Sequence, residues 1–549
     1  MRRIFATMVV ILASALAVQA QNSSGLLFNR DIISASSLLT LSQRESVGTA
    51  RSMGMGGAFT SLGGDMASFG YNPAGFGMYQ RNEISISLGL GVAQAKNYNA
   101  YSTGSNLSTR VAIDNFGASF KIYEGSGKLT AVNFAVGYNK VADYNYTMSY
   151  DSPITAFSLA NAFVNIAKSE KLGINDNGRI CDENGYFDYE MNPYFWGAAL
   201  AYKGGLINQG ANGWYPDEIA IGAQMAQRTT LQSRGSAGEF SFALGFNINN
   251  ILYFGASLDV QSIQRKQSIY YSEYINYEAG ATPDAASYPY LLRNFEFGQS
   301  VNVNGAGMGA KFGVVARPTK WLRVGLALHT PSYYSVTYSY SASLTSVANS
   351  IGDNPYGWDV IDGNVYADEK TPTLKDSDEY RWRFTTPTRI LTGVSFTIGQ
   401  YAVISADYQY DAYRGLKLNY APADTGYTND DFRTNLKGVH TVRAGVEVKP
   451  LPWLSLRVGG GYKSNVLAAQ YNELLFSEPV AKTMWYTSAG LGLRLSKVTS
   501  IDLAYQYRKT CYSDYYSFYT QFDGKQNYSP LYGLDILNHN IALTFAFRF

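Results

Sequence analysis

The chain has 549 residues, with 44 Lys and Arg against 42 Asp and Glu, so its formal net charge is only +2. Charged residues make up 16% of the chain, well under the roughly 25% of an ordinary soluble protein. After the first 20 residues, no apolar run approaches the roughly 20 residues that a membrane-spanning helix needs. No basic cluster indicates nucleic-acid binding. If lipid solvates this chain, strands must be the spanning elements.

The N-terminus has the layout of a secretory signal peptide. Arg2 and Arg3 precede an apolar stretch over residues 4–18, and Val18-Gln19-Ala20 is a small-x-small triplet. We therefore predict a signal peptide over residues 1–20, with an uncleaved anchor as the alternative. Cys181 and Cys511 lie far apart and show no metal-binding spacing, which leaves one disulfide or two free thiols open.

From residue 82 to the end, apolar and polar residues alternate with period two, and very short turns join neighbouring segments in pairs. We predict fourteen strands, at approximately 82–92, 113–123, 128–149, 238–249, 251–270, 300–317, 320–340, 380–398, 400–414, 437–449, 453–463, 483–496, 499–510 and 537–549. Short turns alternate strictly with long connections, the largest over residues 150–237. This rhythm is typical of an antiparallel membrane barrel with an even number of strands.

The alternation also separates two faces of each strand. In the last strand, Ile541, Leu543 and Phe545 share one face with Phe547 and Phe549. A soluble sandwich with one buried face is the alternative, but the strand count and the aromatic residues near strand ends favour a barrel. The sequence thus predicts an all-β protein: a 14-stranded antiparallel transmembrane β-barrel over residues 81–549, in the outer membrane of a Gram-negative cell.

A barrel of this size encloses a lumen that needs filling unless it leaks. Residues 21–80 are rich in glycine, and we predict that they form an N-terminal periplasmic hatch that begins on the periplasmic side and plugs the lumen. The glycine-rich run over residues 54–64 lacks the Gly-Lys-Ser/Thr ending of a phosphate-binding loop.

Two motifs in this segment carry a family resemblance. They are Gly48-Thr49-Ala50-Arg51-Ser52-Met53-Gly54-Met55-Gly56-Gly57-Ala58-Phe59 and, after Asp65, Tyr71-Asn72-Pro73-Ala74-Gly75. The pair resembles the hatch of the FadL-like long-chain fatty-acid transporters, TodX-type proteins included, which carry an Asn-Pro-Ala motif. Taken alone, Asn-Pro would indicate only a loop stop.

The resemblance covers the layout of the whole chain and implies a monomer plugged by a hatch at Asn72, Pro73, Ala74 and Gly75. It implies transport of hydrophobic small molecules, such as fatty acids, through a lateral gap at an indented third strand and into the lipids of the outer membrane. The chain differs from the family in its greater length and in the long connection over residues 150–237. Because outer loops determine which ligand binds, these differences leave the identity of the substrate undetermined.

The third strand, at about 22 residues over 128–149, is twice the roughly 9 to 11 that span a bilayer. It must project or bend. We expect a bulge and broken pairing around Gly137, which would make Gly137 a lateral gate. The alternative places Lys140 at the outer rim, with no opening.

Inward-facing charges fall into two groups. Six lie near the short turns and are expected to hold the hatch: Arg323, Glu447, Arg457, Arg494, Asp502 and Arg548. At mid-depth, Arg389, Arg443 and His329 are candidate ligand-binding residues in the lumen, because a partly desolvated arginine pairs well with a carboxylate head group.

Other classes of function remain as alternatives. They are a plugged porin-like channel, an adhesin that acts through its long loops, and an outer-membrane lipid hydrolase. We find no Ser/His/acid trio, and three histidines offer little to a metal or haem. We therefore expect no enzyme, no cofactor, no metal and no nucleic-acid partner. Within the 150–237 connection, an apolar stripe from Ile154 to Ile166 predicts a helix on the extracellular side.

Overall fold

A computed structural model describes most of the chain. The described residues are 23–24, 26–27, 34–45, 48–100, 102–103, 106–153, 155, 157–186, 193–216, 223–276, 290–350, 358–367, 381–421, 425, 427–473, 478–522 and 525–549. The expected signal peptide over 1–20 lies outside them. Among the described residues, no helix is long and apolar enough to cross a bilayer.

Fourteen antiparallel strands close into one barrel, as the sequence predicts. In chain order they are β1 (Glu83–Tyr98), β2 (Asn106–Glu124), β3 (Leu129–Asp143 and Tyr146–Asp151), β4 (Gln224–Ile248), β5 (Leu252–Asn276), β6 (Tyr290–Ala316), β7 (Leu322–His329 and Tyr333–Ser350), β8 (Arg381–Thr385 and Arg389–Ile398), β9 (Ala402–Asp411), β10 (Val439–Leu451), β11 (Leu454–Lys463), β12 (Ala481–Arg494), β13 (Thr499–Tyr512) and β14 (Leu531–Arg548). Each strand pairs with the next, and β14 pairs with β1 from Tyr98↔Gly533 to Glu83↔Arg548.

The outward-facing side chains form an apolar band around the barrel. On β1, β4, β7 and β14 the exposed residues alternate with buried ones, as two-faced strands require. Examples are Ile84, Ile86, Leu88, Phe240, Phe242, Leu244, Val324, Leu326, Leu328, Phe545 and Phe547. An apolar outer surface of this kind fits a lipid solvent rather than water.

Several strands continue past this band at the end with the long connections. β4 begins at Gln224, although the sequence prediction began it at 238, and β5 and β6 are 25 and 27 residues long. Above the band the outward residues become polar, so the hydropathy alternation fades while the backbone pairing continues. The connection between β3 and β4 is therefore shorter than the 150–237 loop that we predicted.

The connections at this end pack into a folded cap. It contains α3 (Leu159–Ser169) and α4 (Trp196–Lys203), and residues 157–186 and 193–216 make up most of its described part. Phe163 and Trp196 are fully buried in one apolar cluster that also holds Leu26 and Leu27. The helix that the sequence predicted in this connection is thus present, beginning at Leu159. α5 (Asn429–Asn435) lies in the connection between β9 and β10.

The cap also contains short strands and a few single helical turns. The strands are Ser102–Thr103, Gly173–Ile174, Ile180–Cys181, Ile207–Gly210, Gly213–Pro216, Trp358–Ala367, Lys417–Tyr420, Tyr515–Tyr516, Tyr519–Phe522 and Lys525–Tyr528. The turns are Pro193–Phe195 and Tyr413–Gly415. Cys181 and Cys511 are both free thiols.

Residues 34–45 and 48–79, called here the lumenal segment, lie against the inner face of the barrel. The segment contains α1 (Ala35–Ser42), α2 (Ala50–Gly54) and the helical turns Met66–Phe69 and Pro73–Met78. Polar side chains fix the start of each element, since the oxygens of Ser34, Thr49, Asp65 and Asn72 accept hydrogen bonds from first-turn amides.

Residues 23–24 and 26–27 lie at the end of the barrel opposite to the one we predicted. Ser23–Ser24 pairs with Tyr519–Thr520 in the connection between β13 and β14, and Leu26 donates to the Tyr516 carbonyl. The prediction that the segment before the first strand begins on the periplasmic side was wrong for these residues, because it extended the position of the start of β1 to everything that precedes it. The segment instead runs down the lumen from the cap to the short turns.

Candidate ligand site and wall opening

The Asn72-Pro73-Ala74 motif builds the contact between the lumenal segment and the wall. The Asn72 side chain accepts a hydrogen bond from the Ala74 amide and donates to the Thr60 carbonyl at 2.8 Å. Pro73 occupies the first turn, where its missing N–H costs nothing. The motif therefore folds its own turn and ties it to the preceding part of the segment.

Wall glycines lie directly against the backbone of this segment. A Cβ on Gly255 would lie 2.2 Å from the Pro73 carbonyl carbon, and one on Gly325 would lie 2.4 Å from the Thr60 oxygen. Similar contacts recur along neighbouring strands at Gly245, Gly445 and Gly459. We call these five positions the glycine belt. At each of these positions a side chain would collide with the lumenal segment. The glycine belt therefore allows the backbone of the segment to pack directly against the backbone of the wall.

Polar wall residues hold the segment between these glycines. Lys311 donates to the Phe69 carbonyl at 2.7 Å, Asn133 to Phe76 at 2.8 Å, and Arg323 to Leu62 at 3.0 Å. The Asp407 carboxylate accepts from the Thr60 amide at 2.8 Å.

Of the six charges near the short turns that we expected to hold the hatch, Arg323 and Glu447 contact the lumenal segment directly. Glu447 pairs with Arg51 of the segment at 3.1 Å, and Arg457 links Glu447 to Asp502. Arg548 pairs with Glu83 of β1. Arg494 makes no ion pair within the described part of the chain.

The wall has an interruption between β2 and β3. Their backbone pairing ends at Asn115↔Asn139, and the next paired residues are Thr103 and Tyr150 in the cap. We call the stretch between 107–114 of β2 and 140–148 of β3 the wall gap. Its lower end lies within the apolar band, because Ile113 is in register with Leu88 of β1.

Gly137 is not part of this interruption. It pairs with Gly117 of β2 and with Ser241 of β4, so the wall is continuous there. A Cβ on Gly137 would lie 2.5 Å from the Phe69 ring of the lumenal segment. The break in pairing that we expected at Gly137 is therefore misplaced: it begins at Lys140, where a bulge at Val141 shifts the register. Lys140 itself is buried rather than at an outer rim.

A cavity that is open to solvent lies behind the wall gap. It is lined at the gap by Leu90, Arg110, Asp114 and Asp143, at the opposite wall by Gln409, Asp411, Thr441, Arg443, Lys463, Met484, Tyr486, Gln506, Arg508 and Asn540, and by segment residues that include Arg44, Glu45, Met53 and Tyr71. Its carboxylates are already occupied: Glu45 pairs with Arg508, Asp411 with Arg389, and Asp114 and Asp143 with cations at the gap.

Arg443 and Lys463 are the cavity cations without a carboxylate partner among the described residues. Both point inward from adjacent strands, in register positions two residues apart, since Thr441 opposes Lys463. One Arg443 nitrogen donates to Gln409 at 2.6 Å, and its Nη1 atom is buried without a hydrogen bond. The guanidinium lies over the Tyr71 ring at 5.6 Å. Burial raises the pKa of the Tyr71 hydroxyl, so this ring stays neutral.

The other two candidate ligand residues are engaged elsewhere. His329 Nε2 lies 2.9 Å from the Tyr71 carbonyl oxygen, so this side chain holds the lumenal segment. Arg389 pairs with Asp411 at 3.4 Å and does not line the cavity behind the wall gap. Of the three, only Arg443 faces open space in it, and the sequence reasoning missed Lys463. Among the described residues, no group of His, Cys, Asp and Glu could hold a metal ion.

Replacing Arg443 with Gln should weaken binding of an anionic amphiphile by roughly tenfold, the effect of losing one charge-assisted hydrogen bond. The measurement is isothermal titration of the detergent-solubilised protein with a dodecyl carboxylate. Arg433→Gln, at an exposed helix position paired with Asp430, is the matched control and should bind as the wild type does. Equal affinities for all three proteins would remove Arg443 from the site.

Comparisons with known proteins give structural matches only. No family model and no curated protein matches the chain. Solved structures that match include a Pseudomonas aeruginosa FadL homologue (11% identity, TM-score 0.48, covering 91% of this chain and 98% of that one). They also include the Pseudomonas putida toluene transporter TodX (14%, 0.46, 93% and 100%) and the CymD monoaromatic hydrocarbon channel (12%, 0.46, 91% and 97%).

The matching structures thus include the family that the sequence resembles. Their TM-scores lie below 0.5, so they carry no argument about function.

Proposed function

We propose that this chain is an outer-membrane transporter that takes up hydrophobic compounds with an anionic head, long-chain fatty acids among them. The ligand binds in the lumen and leaves sideways through the wall gap. One observation carries the proposal: the cavity reaches the longest stretch of described wall where two neighbouring strands lack backbone pairing.

The lumenal segment supports a sideways route over a straight one. It runs along the lumen to Tyr79, shortly before β1 begins at Glu83, and its residues are almost all buried against the wall. We infer that it acts as a hatch, with Asn72, Pro73, Ala74 and Gly75 at its contact with the wall glycines. A ligand in the cavity then meets less protein towards the gap than towards the short turns.

The chemistry of the cavity favours an amphiphile. Arg443 and Lys463 can hold a carboxylate, while Met53, Met484 and Tyr486 offer apolar contact. An acyl chain that passes from water into lipid gains roughly 0.8 kcal/mol for each CH2 removed from water. Net transfer of the ligand from the outer medium into the membrane therefore needs no external energy.

The deciding measurement is uptake into proteoliposomes. Vesicles with the protein should accumulate a radiolabelled long-chain fatty acid several times faster than vesicles without it, and should exclude a labelled disaccharide, because the polar route through the lumen is closed. Mass spectrometry of lipids that co-purify with the protein would name the natural ligand. Equal fatty-acid uptake with and without protein would overturn the proposal, and rapid disaccharide entry would instead support a porin.

The same proposal fixes the orientation of the barrel. A protease added to intact cells should cut the cap within exposed residues such as 176–179 and 183–186, because the long connections face outward in an outer-membrane barrel. The periplasmic short turns should be cut only after the outer membrane is permeabilised. Cleavage of the cap only after permeabilisation would mean that the topology is inverted.

A further inference from the structure

We propose that two ion pairs close the wall gap and act as a latch: Arg110 with Asp143, and Lys140 with Asp114. They hold β2 against β3 where the backbones are not paired, and their separation opens the cavity to the outer surface. The effect of this ion-pair latch on transport rests on the function proposed above. The latch itself is a property of the wall.

The four charges connect exactly the two strands that lack backbone hydrogen bonds. Lys140 Nζ of β3 lies 2.7 Å from Asp114 Oδ1 of β2, and 3.5 Å from Asp143 Oδ2. Arg110 of β2 contacts the Asp143 carboxylate through Nε, and its Nη1 lies 3.7 Å from Asp114. Each cation thus reaches both carboxylates, and every contact between Arg110 and Asp143 or Lys140 and Asp114 crosses the gap.

The four charged side chains are largely buried. The side chains of Lys140 and Asp114 are 2% and 3% exposed, and those of Arg110 and Asp143 are 17% and 15% exposed. A buried charge is tolerated only while it is paired, so the strands cannot separate here without new partners for the charges. An exposed pair would be screened by salt and would hold little.

Two bulges put these charges in place. Asp114 is an extra residue of β2 between the partners of Ser87 and Leu88, and Val141 is an extra residue of β3 beside Lys140. Without the bulges, strict alternation from Phe116 and Tyr138 would turn Asp114 and Lys140 towards the lipid face. The bulges interrupt this alternation, and both side chains become buried against each other instead.

The latch lies between the cavity and the outer surface. Arg110, Asp114 and Asp143 line the cavity on one side, while Val111, between Arg110 and Asp114 on β2, is 77% exposed on the other. Among the described residues, the side-chain hydrogen bond from Asn106 to the Ser149 carbonyl, just above the gap, remains between the two strands when both ion pairs are broken. In a variant without these ion pairs, a ligand could leave through the gap without first separating paired charges.

The test removes each pair as a unit, so that no buried charge is left alone: Arg110→Gln with Asp143→Asn, and Lys140→Gln with Asp114→Asn. Spin labels are attached to cysteines introduced by Val111→Cys and Thr147→Cys, in a Cys181→Ser, Cys511→Ser background. Pulsed electron paramagnetic resonance then measures the distance between the labels across the gap. We expect one short distance in the wild-type wall and a longer component in each neutralised variant. Fatty-acid uptake should rise by roughly tenfold when both pairs are removed.

The control is an ion pair between β3 and β4, at a position where the backbones of these two strands are paired. Arg228 of β4 and Asp151 of β3 form an ion pair at 2.6 Å across two strands in register. Neutralising Arg228→Gln with Asp151→Asn should leave both the distance distribution and the uptake unchanged. The exchanged pair Asp114→Lys with Lys140→Asp should restore the single short distance, which a purely local packing role would not predict.

The outcomes separate this proposal from the transport function. If the neutralised variants fold as heat-modifiable barrels but keep the wild-type distances, the latch is rejected whatever the uptake. If they take up fatty acid more slowly than the wild type, the charges serve the ligand rather than closing the gap, and the latch is again rejected. If the distances lengthen as expected but wild-type vesicles take up no fatty acid, the latch stands and the proposed function falls.

Discussion

Deleting residues 22–78 should turn a closed barrel into a conducting one. The wall does not depend on the deleted part, since β1 begins at Glu83 and its ladder with β14 runs between wall residues alone. Planar-bilayer recordings should show little current for the intact protein and large, steady openings for the deletion. Residues 1–21 are kept in both, and a gel-mobility shift on heating checks that each barrel is folded.

The size of this effect follows from what the segment occupies. Phe59, Phe69 and Phe76 are all nearly or fully buried in contact with the inner wall, so their removal opens a water-filled path along the lumen. The deletion also exposes wall charges such as Lys311 and Glu239, which water can then solvate. An intact protein that already conducts as well as the deletion would show that the segment is not a plug.

Replacing Gly255 with Val should displace the segment without disturbing the outer face. The new side chain would meet Pro73 and Ala74 backbone atoms within 2.3 Å, and overpacking of this kind costs typically about 1–3 kcal/mol. The closed hydrogen-bonded wall is harder to deform than a segment held by scattered contacts. We therefore expect a conductance between those of the wild type and the deletion.

The matched control is Gly127→Val in the short turn between β2 and β3. Nothing lies within 4 Å of a Cβ at Gly127, so this variant should keep the wild-type conductance. A closed channel in folded Gly255→Val would mean that the wall, rather than the segment, yields to the added side chain. The lumenal segment would then be held more rigidly than the wall around Gly255.

The strands were predictable because each one repeats the same local pattern. Apolar residues at every second position predict a wall strand wherever lipid is the solvent, as in Phe545 and Phe547. The pattern fails above the apolar band, where Gln224 to Ala237 continue β4 with polar outward residues. There the pairing with β3 and β5, not hydropathy, keeps the strand in place.

The site was less predictable because its parts meet only in three dimensions. Arg443 was predicted because it occupies an inward-facing position in the alternation of β10. Lys463 also occupies an inward-facing position, but it is the last residue of β11 and was not predicted. Gly137 drew attention as a residue without a side chain, whereas the break in the wall comes from bulges beside Asp114 and Lys140. No local rule links two charges that lie more than twenty residues apart.

The course of the lumenal segment constrains how the barrel can be assembled. Ser23–Ser24 is bound at the cap, and the chain enters β1 near the short turns. A ring that is already closed could take up such a chain only by threading it through its whole length. The meeting of β1 with β14 is therefore best placed last in the order of folding, after the segment lies along the inner face. The contacts that later obstruct the lumen would then first serve as a surface around which the strands gather.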